Sequence, residues 1–422
     1  AKTAASPVAS PATKTAASPS PAAKTAASPS PAAKTASPQA GTGATSGTIK
    51  IVSSLPRTGS SKGQTDTIVN AIRMAFEEEG NRAGNFTIVY EDWDDATAAQ
   101  GQWDAAKETE NATRAANDPQ VMAYIGTFNS GAAAVAIPIL NQAGLLMVSP
   151  ANTAPGLTKS GTGEPGEPEK YYPTGRRNYT RVVPADDIQG AAGATWAQEL
   201  GAKSVWVIDD AQLYGKSLAD VFAQTAQRLG LEVKGRDSID GKASDYRALA
   251  LKIRQANPDL IYFGGITQNN AGQLWKDLRN AMPQVRLMGP DGIREQAFLE
   301  AAGDAAQGSH ITFGGLPPDK LTGKGAEWYQ RYKAKYNSEP EAYAAYGYEA
   351  AKVVLEAIKR AGRADRNAIR DAVFATADFE GVLGRWSFDQ NGDTSLTTMS
   401  GEIVQPQGGR LAFVFNKELR VG

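Results

Sequence analysis

Two short polar cassettes, about twenty residues apart, each close an apolar run. Gly126-Thr127-Phe128-Asn129-Ser130-Gly131 follows the apolar residues 121–125, and Ser149-Pro150-Ala151-Asn152-Thr153 follows 145–148. A short, fully apolar run bounded by turn residues and followed by helical periodicity reads as a parallel strand buried on both faces. Two such units in succession make a βαβ sheet. In open parallel sheets a ligand lies beyond the carboxyl ends of the strands, where hydroxyls and free helix-start N–H groups can hold an anion such as a carboxylate. The cassettes therefore point to capture of a small molecule.

The same alternation runs through most of the chain. Strands are expected over 49–55, 86–92, 121–126 and 145–149, with helices starting near Gln64, Trp103 and Ser130. After a loop rich in Gly, Pro and charge (159–178), strands are expected at Val182 and over 204–209, 232–239, 260–265 and 286–289, with helices near Ile188, Leu218, Tyr246 and Gly272. That is a second doubly wound half. Residues 326–336 and 343–361 have apolar residues at helical spacing. Residues 386–388, 397–404 and 411–415 read as antiparallel strands, with Asn391-Gly392 as the turn signal.

At 422 residues there is length for two domains and a tail. The net charge of −1 conceals four lysines without an acid in residues 1–46, which leaves 40 basic against 45 acidic side chains in the rest. A mildly acidic body without a basic cluster offers no footprint for nucleic acid. With no cysteine and one histidine, His310, neither a thiolate nor a His-rich metal site can form, and His310 is read as structural. No run reaches the roughly 20 apolar residues that cross a bilayer.

Lys-Thr-Ala-Ala-Ser-Pro begins at residues 2, 14 and 24, and Lys-Thr-Ala-Ser-Pro at 34. Such composition has nothing to bury, so residues 1–47 are expected to be a disordered, partly polyproline-II tether, up to about 140 Å long at ~3.1 Å per residue. The chain begins with alanine, as expected of a form whose export signal has been removed. An extracytoplasmic protein, lipid-anchored through this tether, is favoured over an artificial tail.

Three motifs come close and fail. Asp210 through Ser217 lacks the first glycine of a phosphate loop, and Asp210 would aim a carboxylate at the phosphates. The run from Asp389 to Ser400 has Thr394 and Ser400 where a calcium loop needs glycine and a bidentate acid. The pairs Asp94-Asp95 and Asp186-Asp187 are read as helix caps rather than as an acid and base. With no GxSxG elbow and no nucleophile with a partner, the chain is expected not to be an enzyme and to need no cofactor.

From about Ile49 to Phe415 the chain resembles the leucine/isoleucine/valine-binding family of type I periplasmic solute-binding proteins, receptors of ATP-driven importers. The resemblance rests on Asp94-Asp95-Ala96, Ser149-Pro150 through Thr153 with Leu157-Thr158, Asp209 through Tyr214-Gly215, Phe263-Gly264-Gly265, Met288-Gly289-Pro290-Asp291-Gly292, and Gly303 through Gly308, in that order. It implies an α/β fold of two doubly wound parallel-sheet lobes joined by three crossovers, near Ala185, Phe313 and Met399. Lobe 1 would be 48–185 plus 314–399, and lobe 2 186–313 plus 400–422. It also implies a monomer that binds a branched-chain amino acid or relative in the cleft and meets a membrane permease and an ATPase. The competing expectation keeps the fold and changes the job: an amide, urea or aromatic acid as cargo, or a sensor.

By the same resemblance, Ser130 and Thr153 hold the ligand's carboxylate, with Asn152 contributing through its backbone, and Asp291 pairs with its ammonium while Tyr214 closes over it. The chemistry agrees, since hydroxyls and N-terminal amides suit a buried carboxylate. The competing roles are helix caps for Ser130 and Thr153, a turn for Asp291 and packing for Tyr214. Departures from the family pattern are Lys62 or Ser61 in place of an aromatic, Phe128-Asn129 in place of an apolar-cysteine pair, Ile266-Thr267 in place of an aromatic pair, and Asp rather than Glu at 291. These keep the poles of an amino acid and alter the pocket for its side chain. The 159–178 stretch is expected to be a solvated surface loop.

Overall fold

The computed structural model describes residues 43–419, so the expected tether falls almost wholly outside the described residues. The first half of the chain runs β1 (Gly47–Leu55), α1 (Lys62–Glu78), β2 (Arg82–Ala83), β3 (Phe86–Asp94), β4 (Ala96–Thr97), β5 (Gln102–Trp103), α2 (Ala105–Asn117), β6 (Val121–Gly126), α3 (Ser130–Gln142), β7 (Leu146–Ser149) and β8 (Tyr179–Arg181). The second half runs α4 (Asp186–Glu199), β9 (Ser204–Asp209), α5 (Leu213–Arg228), β10 (Glu232–Ser238), α6 (Arg247–Ala256), β11 (Leu260–Gly264), α7 (Ala271–Ala281), β12 (Arg286–Gly289), α8 (Gln296–Ala302) and β13 (His310–Gly314). Then come α9 (Lys324–Tyr336), α10 (Ala344–Ala361), α11 (Arg366–Phe374), β14 (Phe379–Gly381), β15 (Gly384–Trp386), β16 (Met399–Gln407) and β17 (Arg410–Leu419).

Two sheets result. One has the order β2-β3-β1-β6-β7-β8, the other β10-β9-β11-β12-β13-β16-β17. Within these two sheets every strand pair is parallel except β2 with β3, and β16 with β13 and β17. Parallel strands covered by helices on both faces must be apolar throughout, and β6, β9 and β11 are buried at every residue. Successive side chains serve opposite faces: Val205 and Val207 join the core under α4 and α5, while Trp206 and Ile208 join the core under α6 and α7. Helices α9 and α10, late in the chain, pack on the first sheet with α1. Where α10 meets α1, Gly347 leaves no space for a Cβ, which would sit 2.7 Å from Ile68 Cγ2.

Asn391-Gly392 lies in a tight turn, as expected: Phe388 and Thr394 bridge antiparallel across it, and Asp389 accepts the N–H groups of Asn391 and Asp393. The last hairpin, β16–β17, turns at Gly408-Gly409, where both glycines hold the positive φ (59° and 83°) that a two-residue hairpin demands. Several expectations need correction. Helix α2 starts at Ala105 because Asp104 caps it, and Trp103 belongs to the β4–β5 ribbon. The stretch around His310 is a strand that the alternation did not predict. Nor is 159–178 simply solvated: Tyr171 and Tyr172 are buried beside α3, and the Tyr172 hydroxyl donates to the Leu157 carbonyl at 2.7 Å.

One buried acid pair makes stability depend on pH. Glu108 accepts from Ser54 Oγ at 2.6 Å and the Tyr124 hydroxyl at 2.7 Å, and both it and Asp95 are wholly buried. Burial pushes the Glu108 carboxyl up to about 8, and burial together with the Glu108 charge raises Asp95. A carboxyl whose pKa is higher folded than unfolded favours the folded state most below the unfolded value, and that advantage is lost as pH rises through the folded one. Urea titrations should therefore give a lower unfolding midpoint at pH 8 than at pH 5, and Glu108→Gln should flatten this difference. An unchanged slope in the variant would contradict the assignment.

Candidate functional site

The carboxyl ends of β6 and β7 on the first sheet face loops that follow β9, β11 and β12 on the second. A cavity of about 30 Å³ lies between them, lined by Phe128, Asn129, Ser130, Ala151, Tyr214, Ile266, Asp291, Gly292 and Tyr343. Three contacts bridge the two sets of loops nearby: Gln64 Nε2 to the Arg294 carbonyl (3.5 Å), Gln268 Nε2 to Ser61 Oγ (2.6 Å) and Gln102 Nε2 to Asn269 Oδ1 (3.1 Å).

On one wall Ser130 opens α3. Asn129 precedes it in extended conformation and no side chain caps the helix, so its first-turn N–H groups keep their pull on an anion. Ser130 Oγ accepts the backbone N–H groups of Thr153 (3.3 Å) and Ala154 (3.2 Å), which leaves its own proton to donate. Thr153 is buried and its Oγ1 has no partner.

The opposite wall is anionic. Asp291 follows β12 and accepts from the Tyr214 hydroxyl (2.6 Å), from Gln189 Nε2 (2.7 Å) and from the Tyr343 hydroxyl. Tyr214 is itself oriented by the Gly292 N–H, 3.1 Å from its oxygen. Burial raises the Asp291 carboxyl above its ordinary range, and these three donors oppose the rise. Burial and then the Asp291 charge lift both tyrosines well above theirs, so they remain donors. Asp186, the first residue of α4, is fully buried, and neither of its carboxyl oxygens has a hydrogen-bond partner. Burial first, and the charge of Asp291 second, push it up. Asp291 on one side and Ser130 with the start of α3 on the other form a dipolar environment.

Six of the residues singled out from sequence line this one cavity: Phe128, Asn129, Ser130, Tyr214, Ile266 and Asp291. Thr153 stands directly behind Ser130. Asn152 does not line it; its side chain donates to the Phe128 carbonyl (2.9 Å) and its N–H to Ser149 Oγ (2.8 Å), so it shapes the loop. Lys62 is exposed and pairs with Asp66 at 2.5 Å, one helical turn on. Thr267 is buried next to Ile266 but outside the lining, with an unpartnered hydroxyl. Sequence reasoning missed Tyr343, Gln189 and Asp186. Tyr343 had merged into an apolar helical period, Gln189 carried no signal, and Asp186 had been given to a cap, although its carboxyl bonds no backbone N–H.

The two near-motifs resolve into local ties. Asp210 accepts the N–H groups of Gln212 (3.1 Å) and Ile266 (3.1 Å), and Asp393 pairs with Arg181. No cluster of three or more metal-ligating side chains occurs among the described residues. His310 sits edge-on to Trp196 at 5.0 Å. The groups around the cavity can hold and orient a dipolar molecule.

Known proteins share this fold. A family model described as periplasmic binding protein matches residues 48–409. The Leu/Ile/Val-binding protein homolog 1 of Brucella abortus is 31% identical over 273 residues, covering 64% of this chain and 69% of that protein. The leucine-, isoleucine-, valine-, threonine-, and alanine-binding protein of Pseudomonas aeruginosa is 28% identical over 354 residues, 82% of this chain and 87% of that one. The crystal structure of a leucine-binding protein from Thermotoga maritima superposes with a TM-score of 0.77 at 28% identity, covering 88% of this chain and 98% of that one. The chain belongs to the periplasmic binding protein family, in the type I group of the branched-chain amino acid binding proteins.

Proposed function

We propose that this protein is the extracytoplasmic solute receptor of an ATP-driven importer, that it binds an α-amino acid between two lobes, and that it hands the ligand to a permease and its ATPase. The observation that carries this reading is the cavity bounded by Ser130 and the start of α3 on one side and by Asp291 on the other. A carboxylate suits the first wall and an ammonium the second, and a ligand without an ammonium would leave Asp291 buried without a cation. The relatives' names, which state leucine, isoleucine and valine, support an amino acid cargo. We assign 48–185 plus 314–399 to one lobe and 186–313 plus 400–422 to the other, a reading supported by the membership of the two sheets and by the packing of α9 and α10 on the first. In it, ligand contacts to both walls favour the closed arrangement. Residues 1–47 serve as the link to a lipid anchor, which the intact mass of native protein would test.

Ser130→Ala removes a donor to a charged group, an interaction worth about 1.5–3 kcal/mol. Calorimetry should show sub-millimolar binding of at least one amino acid by the native protein, weakened roughly 10- to 100-fold in the variant. No heat with any amino acid would defeat the reading.

A further inference from the structure

The stretch 159–178 joins β7 to β8, so both its ends belong to the first sheet, and Tyr171 and Tyr172 root it in the cluster that holds Ala133 and Ala136 of α3. Its tip is ordered from within. The buried Glu167 carboxylate accepts the Glu164 N–H at 2.9 Å and the Tyr171 hydroxyl, and pairs with Lys170 at 2.9 Å. Gly163 lies so near the preceding loop that a Cβ on it would come within 2.8 Å of the Gly156 Cα. A loop packed by its own side chains presents its outer charges at fixed positions.

Those charges reach the helices of the second sheet. Lys159 Nζ lies 2.7 Å from Asp187 in the first turn of α4, and Lys216 Nζ of α5 lies 2.6 Å from Glu164 at the tip. Leu213, the first residue of α5, packs on the same apolar cluster as Tyr171 and Tyr172. Between the tip and α5 is a cavity of about 540 Å³ lined by Gly161, Glu164, Gln212, Lys216 and Asp220, so the tip meets this helix through an ion pair and not through a packed face. Such a contact can part and reform without disturbing a core.

We propose that 159–178 is a strap, and that Glu164 and Lys216 are positioning residues that hold the two ligand walls together without touching the ligand. The inference rests on the two-lobe reading above. The strap moves with the lobe of Ser130, whereas α5 carries Tyr214 of the opposite wall, so their ion pair is made on closure and lost on opening. Both side chains are about half exposed (50% and 48%), which makes the native pair a modest contributor. Reversing one charge replaces attraction by repulsion and should lower the ratio of closed to open molecules about fivefold.

The chain has no cysteine, so nitroxide labels can be placed on Glu110→Cys in α2 and Gln255→Cys in α6, two exposed positions on helices that pack against different sheets. Pulsed electron spin resonance on the full chain, with no ligand added, should resolve a shorter and a longer separation. Glu164→Lys and Lys216→Glu should each lower the share of the shorter one about fivefold relative to the longer, and the variant carrying both should return it to within about twofold of the native value. Glu164→Lys without effect would overturn the proposal, and so would a double variant as open as either single one or a native chain found only in the longer form. Because no ligand is titrated, those results would leave the amino acid reading standing. A separation that is single and unchanged in every variant would overturn both the strap and lobe closure.

Discussion

Asp291→Asn is expected to weaken amino acid binding at least a hundredfold and to leave the unfolding transition close to that of the native protein. The amide keeps the size of the side chain and can still accept from a tyrosine, so the wall remains packed. What it loses is the negative charge that three buried donors, Tyr214, Tyr343 and Gln189, orient towards the cavity. Truncating one partner of a buried, hydrogen-bonded charge pair costs about 2–5 kcal/mol, and a hundredfold in affinity is about 2.7 kcal/mol. Calorimetry on the variant, beside a thermal melt, separates lost binding from lost folding. Unchanged affinity would show that Asp291 is a turn residue only.

Asp393→Ala should lower the stability of the whole chain by about 3–5 kcal/mol, the cost of leaving a buried charge without its partner. Arg181 is completely buried, and its Nε donates to Asp393 at 2.6 Å. The other two guanidinium nitrogens donate to the carbonyl of Ala154 at 2.8 Å and to Thr158. Burial raises the Asp393 carboxyl, but the Arg181 charge and hydrogen bond outweigh that and hold it below its ordinary value. Removing Asp393 strands the guanidinium beneath the loop that carries Thr153, so ligand affinity should fall together with stability. In the double variant Arg181→Met with Asp393→Leu, no charge is left unpaired, and the loss should be smaller than in the single variant. Urea unfolding of both variants checks the order. A double variant less stable than Asp393→Ala would contradict it.

The parallel strands were legible because each is short and apolar without interruption. Residues 121–126 and 204–209 coincide with β6 and β9, since burial on both faces dictates both composition and length. The Ser130 wall was legible too, because a hydroxyl placed between a strand end and a helix start has few other uses. The opposite wall was only partly so. Tyr343 reaches Asp291 across 52 positions of sequence, and no periodicity links residues brought together by a turn in one segment and a helix start in another. Asp186 reads as a cap by position, whereas its carboxyl is turned away from the backbone N–H groups it would cap. Lys62 failed as a lining residue for a local reason: Asp66, four residues on, offers a partner in solvent.

Titration with the tightest-binding amino acid, and with the same molecule lacking its ammonium or bearing an amide in place of its carboxylate, tests most directly that the cavity grips two opposite poles. Each deletion should weaken binding at least a hundredfold in the native protein, and Asp291→Asn should erase the preference for the ammonium while keeping that for the carboxylate. Equal affinity for the molecule without its ammonium would contradict the account.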